Sequence, residues 1–385
     1  MKQVAWATAA GGLVSQWSSA SKARANPTAP KEGRKLKYVG WQVGLTYQAI
    51  APGGLDRDYL MRLLDEMAEN KMNLLSLMMN STASNDPIHD GYCWPVRSPK
   101  LKHYWDAASI NGQPSTEFVR EVITAAADRK IQIHFLMNGF WWTPEKIQKG
   151  YPSAECQVSR QQALQGSGSN AWWFCPDSPG AWQAGLDEVR DLLTFYEHPN
   201  VIGYAFEMLC YGDCFCKWTQ EKYRQEAGGS MFDAEAAQLH RWRAKQIRNY
   251  LKLYADHIRQ LIPKGSVWLH SDCHTAGHEP AGLQACGIDY VLPMILHMRK
   301  TREEVHALIK HCSPCPTVLH FCTRDRRPTN YDLWIKTPEI IAEAISWVLE
   351  YPGDNLAGLL FFNENATSAR NKKAVYEQIK RFQHH

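Results

Sequence analysis

The sequence has no apolar run long enough to cross a membrane and no excess of charge of either sign. Its longest apolar runs, such as residues 356–362, fall far short of the ~20 residues that a spanning helix needs. The 43 lysines and arginines stand against 39 aspartates and glutamates, which gives a net charge of +4. Because these charges are balanced and dispersed, they do not predict binding to nucleic acid. The sequence therefore predicts a soluble chain without a membrane span, and its charge identifies no partner.

The sequence also lacks two motifs that mark common α/β enzymes. No G-x-G-x-x-G spacing follows the first predicted strand, whose end reads Val43-Gly44-Leu45-Thr46. The absence of this phosphate-binding turn disfavours a doubly wound sheet that binds a nucleotide. The same strand has no His-x-His pair, which disfavours a metal-dependent amidohydrolase.

Short apolar or β-branched runs alternate with amphipathic helical stretches from Tyr38 onward. The eight predicted strands are residues 39–45, 73–79, 131–137, 201–206, 266–270, 290–296, 317–322 and 357–362. Helices are predicted at residues 57–70, 117–129, 181–196, 234–261, 302–312, 338–350 and 369–382, with a short crossover at 281–285. This strict alternation predicts a single (β/α)8 TIM barrel. Long loops are expected after strands 2, 3 and 4, at residues 80–115, 138–180 and 207–233.

The first 37 residues do not resemble part of the barrel. Lys2 precedes a small-residue apolar stretch at 4–14, and an A-x-A pattern follows at 23–25. This arrangement is typical of an export signal, and the polar residues after it are typical of a linker. We therefore expect an export signal and disordered linker at 1–37, a catalytic barrel at 38–385, and a periplasmic or extracellular location.

Tryptophan is unusually frequent, with 15 residues. Many lie beside Asn, His or Asp, and flat apolar surfaces edged with hydrogen-bonding groups suit the rings of sugars. Seven occur in the three expected loops: Trp94, Trp105, Trp141, Trp142, Trp172, Trp173 and Trp218. Any one of them can equally belong to a small core under a long loop. The composition therefore favours a carbohydrate substrate, and Trp41, Trp141 and Trp142 are candidates for stacking on it.

The 11 cysteines are an odd number, which leaves at least one unpaired if the others form disulfides. Cys210, Cys214 and Cys216 lie within seven residues, while Cys156 and Cys175 flank a loop rich in Gly, Ser and Gln. A disulfide, a structural zinc site and plain buried thiols all remain open. Three thiols just after predicted strand 4 favour a role in making that loop rigid, through zinc or a disulfide.

Polar side chains lie at or just beyond the ends of the predicted strands, where a barrel projects them into one shared pocket. In strand order they are Trp41 and Gln42; Asn80; Asn138; Glu207; His270, Asp272 and His274; His297; Arg324 and Asp325; and Asn363 and Glu364. Acids on several of the later strands predict an active site rather than isolated salt bridges. The expected substrate-binding residues are Trp41, Asn80, Asn138, Trp141, Trp142, His270, His297, Arg324 and Asn363.

Glu207 is the strongest catalytic candidate. It follows the apolar residues 203–206, and an apolar approach to a pocket mouth raises the pKa of a carboxyl group and suits a general acid. Hydrolysis of a glycosidic bond needs this acid and a second carboxylate, for which Asp272, Asp325 and Glu364 are candidates. We therefore expect Glu207, Asp272 and Glu364 to be catalytic, with no cofactor required for hydrolysis.

The residues around Glu207 resemble the fourth strand and following loop of barrel glycoside hydrolases. The run His-Pro-Asn-Val-Ile-Gly at 198–203 leads into this glutamate, and a cysteine-rich loop follows at 210–216. The likeness is to clan A β-galactosidases and related uncharacterised secreted hydrolase-like families. Residues 288–294 and 358–362 are similar to the sixth and last strands of such barrels. The resemblance implies that Glu207 is the acid/base residue and that the cysteine-rich loop binds zinc.

Two positions depart from that family pattern. Clan A enzymes carry Asn before the acid/base Glu, whereas this sequence has Phe206. Their nucleophile is a Glu at the end of the seventh strand, whereas residues 317–324 contain no carboxylate before Asp325. The resemblance therefore supports the acid/base residue and leaves the second carboxylate open.

Two other functions fit the same polar residues. Glu207, Asp272, His297 and Glu364 resemble the Glu/Asp/His/Glu ligand order of xylose-isomerase-like sugar isomerases and epimerases, which hold Mn²⁺ or Mg²⁺. The long Trp-rich loops and the expected export favour the hydrolase over this isomerase. The third interpretation is a carbohydrate-binding barrel without catalytic activity, which a salt-bridged Glu207 without a facing carboxylate would favour.

Overall fold

The computed structural model describes residues 36–45, 56–81, 91–104, 117–166, 173–207, 214–295, 301–325 and 336–383. Residues 1–35, which hold nearly all of the predicted export signal and linker, lie outside this description. So do Trp105, Trp172, Cys210 and His297, and the side chain of Glu207.

Eight parallel strands form one closed barrel. They are β1 (Tyr38–Gly44), β2 (Leu74–Met78), β3 (Gln132–Asn138), β4 (Val201–Glu207), β5 (Ser266–His270), β6 (Tyr290–Val291 and Met294–Ile295), β7 (Thr317–Cys322) and β8 (Leu356–Phe362). Each strand pairs in parallel with the next along the chain, and β8 pairs with β1 to close the ring. The predicted (β/α)8 barrel is therefore confirmed.

Eleven described helices accompany these strands. They are α1 (Arg57–Glu69), α2 (Phe118–Asp128), α3 (Pro144–Gly150), α4 (Arg160–Gln165), α5 (Pro179–Phe195), α6 (Lys217–Ala227), α7 (Ala236–Leu261), α8 (Pro280–Ala285), α9 (Arg302–His311), α10 (Pro338–Leu349) and α11 (Ala369–Gln383). Each helix predicted from the sequence agrees with these bounds to within two residues. The short helices α3, α4 and α6 were not predicted and lie in the loops after β3 and β4. Among the described helices, none has both the length and the apolar content to cross a bilayer.

The sixth strand differs from its prediction, because the predicted run 290–296 is interrupted. Pro293 has no N–H to donate, so the ladder stops between Tyr290–Val291 and Met294–Ile295. The carbonyl oxygen of Pro293 still accepts a 2.9 Å hydrogen bond from the backbone N–H of His320 on β7. The break therefore does not open the barrel.

Side chains before the helices stabilise their first turns. Thr337 accepts a hydrogen bond from the backbone N–H of Ile340 and precedes Pro338, which occupies the first position of α10. Thr301 and Glu304 form a reciprocal capping box at α9.

A small apolar cluster fills the barrel interior: Tyr38, Leu74, Met78, Leu136, Ala205, Trp268, Tyr290, Leu292, Val318 and Leu360. The rings of Tyr38, Trp268 and Tyr290 contact one another, with centroids 5.0, 5.3 and 4.9 Å apart. Tyr38 and Tyr290 begin their strands, so these rings close the amino end of the barrel. His134 packs on Trp268 with ring centroids 4.2 Å apart and bonds Ser76 at 3.0 Å. Polar side chains of the barrel interior, starting with Ser76 and His134, therefore lie on the side of this aromatic layer toward the carboxyl ends of the strands.

Helix α7 is the longest described helix, with 26 residues. It extends about 39 Å, whereas a seven-residue strand such as β4 extends about 23 Å. Its carboxyl half packs on the barrel, where Tyr254 meets the ring of Phe206 with centroids 4.9 Å apart. Its amino half carries Trp242 and Gln246, and both donate to the carboxylate of Glu226 at the end of α6.

Candidate active site at the carboxyl ends of the strands

Glu207 is the last residue of β4 and has a polar neighbour on each side. Its Cα pairs in register with that of Asn138 on β3 and with that of His270 on β5. Leu136 and Trp268 lie two residues earlier on those neighbouring strands and belong to the interior cluster. Because alternate residues of a strand share one face, Asn138 and His270 face the barrel interior. The structure thus brings three predicted positions into one row.

Four buried side chains form a continuous hydrogen-bonded chain beside this row, which we call the mouth network. Nε2 of His270 lies 3.0 Å from Nδ1 of His320, and Nε2 of His320 bonds Oε1 of Gln42. The amide nitrogen of Gln42 donates to Oδ1 of Asn363 at 3.3 Å. His320 was missed by the sequence analysis because it lies two residues before the end of β7. Its spacing from the interior residue Val318 is the signal that would have found it.

Asn80 and Asn138 are both fully buried, but their side chains differ in what they bond. Oδ1 of Asn80 accepts from the backbone N–H of Asn138 at 2.8 Å, and its amide nitrogen donates to the Asn138 carbonyl oxygen at 3.2 Å. The side-chain amide of Asn138 has no hydrogen-bond partner at either end within the described part of the chain. A buried amide without partners costs free energy, so this group is suited to bind a ligand.

Asp272 lies just after β5 and is half-buried. Its Oδ1 accepts a 3.1 Å hydrogen bond from the backbone N–H of Met294 on β6. The carboxyl group is therefore held between these two strand ends, at the same face of the barrel as Glu207.

Glu364 follows β8 and is 1% exposed. Its Oε1 bonds the ammonium group of Lys372 on α11, and its Oε2 bonds the hydroxyl of Tyr59 on α1. Groups on two outer helices therefore engage both oxygens of this carboxylate.

Arg324 and Asp325 follow β7. The guanidinium group of Arg324 lies 5.4 Å from the ring centroid of Phe362. Asp325 accepts from both the backbone N–H and the hydroxyl of Ser368, the residue before α11. A carboxylate at the start of a helix stabilises it, which gives Asp325 a structural role.

The three tryptophans expected to stack on sugar lie in different surroundings. Trp41 is fully buried between the barrel and α11, where its indole N–H donates to the hydroxyl of Tyr376 at 3.2 Å. Trp142 is also fully buried and leaves no ring face open to a ligand. Trp141 is only half-buried and stacks on Trp173, with centroids 4.6 Å apart and planes inclined by 18°. Of the three, Trp141 is the one with an accessible surface.

Glu188 on α5 is a buried acid that the sequence analysis did not identify. Its Oε2 accepts from the hydroxyl of Tyr92 at 2.7 Å and from the indole N–H of Trp142 at 2.9 Å. Burial raises the pKa of this carboxyl group to about 7. Tyr92 follows β2 and Trp142 follows β3, so one acid fastens two loops to α5. The helical spacing of Glu188 from the buried residues Ala184 and Leu192 was the available signal.

Three buried cysteines lie together beside the loop that follows β4. The sulfur atoms of Cys175, Cys214 and Cys216 all lie within 4.8 Å of one another. Hydrogen bonds from the thiols of Cys175 and Cys216 lower the pKa of Cys214 to about 3. The predicted trio was Cys210, Cys214 and Cys216; the structure brings Cys175 to the latter two, and Cys210 lies outside the described residues. The upstream loop therefore contributes to the cluster, which spacing along the chain could not reveal.

No protein-family model matches the chain, and no curated protein matches it. Its fold is similar to that of the PgaB (BpsB) glycoside hydrolase domain from Bordetella bronchiseptica, with a TM-score of 0.65 and 14% identity over 89% of this chain and 98% of that chain. A β-galactosidase from Rahnella sp. R3 gives 0.61 and 13%, over 92% of this chain and 57% of that chain. A GH20 exo-β-N-acetylglucosaminidase from Vibrio harveyi gives a TM-score of 0.55 and 13% identity, over 90% of this chain and 54% of that chain. The chain therefore has the barrel fold that these glycoside hydrolases share.

Proposed function

We propose that the protein is a glycoside hydrolase in which Glu207 donates a proton to the glycosidic oxygen. The observation that carries this proposal is the position of Glu207 at the end of β4, in register with Asn138 and His270. Active sites of (β/α)8 enzymes lie at this face of the barrel. The likeness to solved glycoside hydrolases supports the proposal at the level of the fold.

In this mechanism the carboxyl group of Glu207 transfers its proton to the leaving oxygen as the bond to the sugar carbon breaks. Asn138 supplies an amide whose donor and acceptor have no partner within the described residues. A sugar hydroxyl both donates and accepts, so it can satisfy either end of that amide. Trp141, stacked on Trp173, offers an apolar surface for a sugar ring on the loop after β3.

We assign the second carboxylate to Asp272. It is half-buried at the end of β5, next to the strand that carries Glu207, and one of its oxygens is fixed by Met294. Glu364 is less suited to attack a sugar carbon or to activate water, because Lys372 and Tyr59 engage its two oxygens.

The same contacts of Glu364 favour the hydrolase over a metal-dependent sugar isomerase. A divalent cation bound by Glu364 would have to displace the ammonium group of Lys372 or approach it closely. Within the described residues, the three cysteines are the one group of His, Cys, Asp or Glu ligands close enough to hold an ion. Two of the four isomerase positions, the Glu207 side chain and His297, lie outside that description.

The decisive experiment is a screen of the purified protein on aryl glycosides, with and without a chelator. Hydrolysis that is indifferent to the chelator supports the proposal, whereas chelator-sensitive isomerisation of free sugars would assign the isomerase. Glu207→Gln keeps the shape of the side chain but removes the transferable proton, so turnover should fall by about 10² to 10⁴. Glu343→Gln, at an exposed position on α10, is the matched control and should leave turnover unchanged. Sugar binding with no turnover of any glycoside would identify an inactive carbohydrate-binding barrel.

We further propose that Cys175, Cys214 and Cys216 hold a structural zinc ion. Three close sulfur ligands suit zinc, and a thiolate at Cys214 is the form that binds it. Zinc bound there would join the loop after β3 to the loop after β4 and so hold the end of β4 in place. Metal analysis should find about one zinc per chain, and Cys175→Ser should abolish it. Cys286→Ser removes a buried cysteine elsewhere and should leave the zinc content unchanged. A metal-free native protein would contradict the proposal.

A further inference from the structure

The orientation of the Gln42 amide in the mouth network fixes which ring nitrogens of its two histidines carry protons. The amide nitrogen of Gln42 donates to Oδ1 of Asn363 and faces the weakly accepting sulfur of Met78 at 3.8 Å. Oε1 of Gln42 therefore faces His320, and a carbonyl oxygen can only accept. In this orientation of the Gln42 amide, Nε2 of His320 is the donor and carries the proton.

The same reasoning extends to the second histidine. A neutral His320 protonated on Nε2 has its lone pair on Nδ1, the atom that meets Nε2 of His270. Nε2 of His270 must then be the donor. With Gln42 in this orientation, both neutral rings are Nε2–H tautomers, and the lone pair of His270 lies on Nδ1.

The network is well suited to keep this arrangement. Its members come from β1, β5 and β7 and from the residue after β8, so their separations are set by the barrel itself. All four are buried, with exposed fractions of 3% for Gln42, 7% for His270, 2% for His320 and 3% for Asn363. Hydrogen bonds in such surroundings are strong, and water cannot easily replace a partner.

We propose that His320 and Gln42 are positioning residues that hold His270 as a hydrogen-bond acceptor of fixed direction for one hydroxyl group of the sugar. This deepens the proposed function and rests on it, because His270 is the register neighbour of Glu207. An acceptor that cannot turn into a donor selects a free hydroxyl and rejects a sugar that is deoxygenated or O-methylated at that carbon.

The tautomers are tested without any substrate. Histidine labelled with ¹⁵N should give, at pH 8.5, ring nitrogen signals of the Nε2–H tautomer for both His270 and His320. Gln42→Glu keeps an oxygen acceptor and should preserve both tautomers, whereas Gln42→Met removes it and should give mixed tautomers. Ser76→Ala is the matched control, because it removes the partner of the buried His134 and should alter only that ring. An Nδ1–H tautomer in either ring of the native protein overturns the proposal.

Recognition of the sugar hydroxyl by His270 is tested with a series of aryl glycosides, each of which lacks one hydroxyl group. One deoxy substrate should lose at least about 10-fold in kcat/KM with the native protein. His270→Ala should lower kcat/KM for the parent glycoside and leave that of this deoxy substrate unchanged. Gln42→Met should cause a smaller loss of the same selectivity, and Gln42→Glu should retain it. Equal losses on all substrates would indicate a merely structural role and would overturn the proposal.

Failure of the proposed function is separable from failure of this inference. If no glycoside is hydrolysed, the proposed hydrolase is wrong, and hydroxyl recognition is then read from the ¹⁵N signal of His270 Nδ1. A shift of that signal with a sugar, but not with its deoxy analogue, supports the inference. The same shift with both sugars, or with neither, contradicts it.

Discussion

Two regions of the described structure hold buried polar groups with different partners. Under the loops that follow β2 and β3, Oε2 of Glu188 accepts from both Tyr92 and Trp142, while its Oε1 has no hydrogen-bond partner within the described residues. At the barrel mouth, Asn138 keeps an amide with no partner within the described residues, next to the position of Glu207. The first arrangement fastens two loops to α5, and the second leaves polar groups for the ligand that we propose. The comparison separates residues that stabilise the surroundings of the proposed site from residues proposed to bind the ligand.

Among the substitutions that test this comparison, Glu188→Gln should have the largest effect, which is a change in how the free energy of unfolding depends on pH. The pKa of Glu188 is raised from 4.5 to about 7, so the folded state holds its proton more tightly than the unfolded state. The stability due to this group is therefore complete below pH 4.5 and is lost as the pH rises to about 7. At 1.36 kcal/mol per pH unit, that loss is on the order of 3 kcal/mol. Urea unfolding at several pH values should show this loss in the native protein and not in Glu188→Gln.

The control for that series is Glu343→Gln, which replaces an exposed carboxyl group. It should leave the slope of stability against pH as it is in the native protein. Parallel curves for Glu188→Gln and the native protein would mean that the pKa of Glu188 is the same in the folded and unfolded states.

Replacing Asn138 and Asn80 at the barrel mouth should change the free energy of unfolding by a smaller amount, and in different directions at the two positions. Asn138→Leu removes an amide without partners, so the free energy of unfolding should stay equal or rise by about 1 kcal/mol, while kcat/KM on glycosides falls about 10-fold. Asn80→Leu removes two hydrogen bonds to the backbone and should lower the free energy of unfolding by about 1 to 3 kcal/mol. Denaturant titrations of the pair decide the matter. Equal destabilisation by both changes would show that Asn138 is structural.

The smallest effect should come from Trp142→Phe, which keeps an aromatic ring and removes the N–H that reaches Glu188. Loss of one buried hydrogen bond should cost about 1 kcal/mol of stability and leave KM for glycosides unchanged. Trp141→Phe should do the reverse, raising KM with little change in stability, because Trp141 is half-buried in its stack with Trp173. A rise in KM for Trp142→Phe would assign it to sugar binding after all.

The sequence was sufficient for the barrel because each element repeats a local pattern. The strand at 201–206 and the helix at 338–350 were predicted from the apolar and amphipathic patterns of these segments, and the structure has them as β4 and α10. The break in β6 could also have been predicted from the sequence, because Pro293 lacks the N–H that a continuous strand would use.

The site was less predictable because it depends on contacts between distant segments. His320 meets Gln42 across 278 residues of chain, and Glu364 meets Tyr59 across 305. No spacing rule connects such pairs. Trp41 and Trp142 were expected to bind sugar because aromatic residues suit sugars, but composition cannot tell which face of a strand or loop a ring lies on. The inward alternation of β7 was the one signal in the sequence that pointed to His320.

Because α7 is long, a small bend of this helix displaces its amino end considerably. About 16 Å of the helix extends beyond the length of a strand, and this part holds Glu226 through Trp242 and Gln246. A bend of only about 5° at the barrel edge would move the far end by about 1.4 Å. Displacements of about 1 Å are enough to slow an enzyme severely. The stiffness of α7 therefore sets how accurately the end of α6, in the segment after β4, is held.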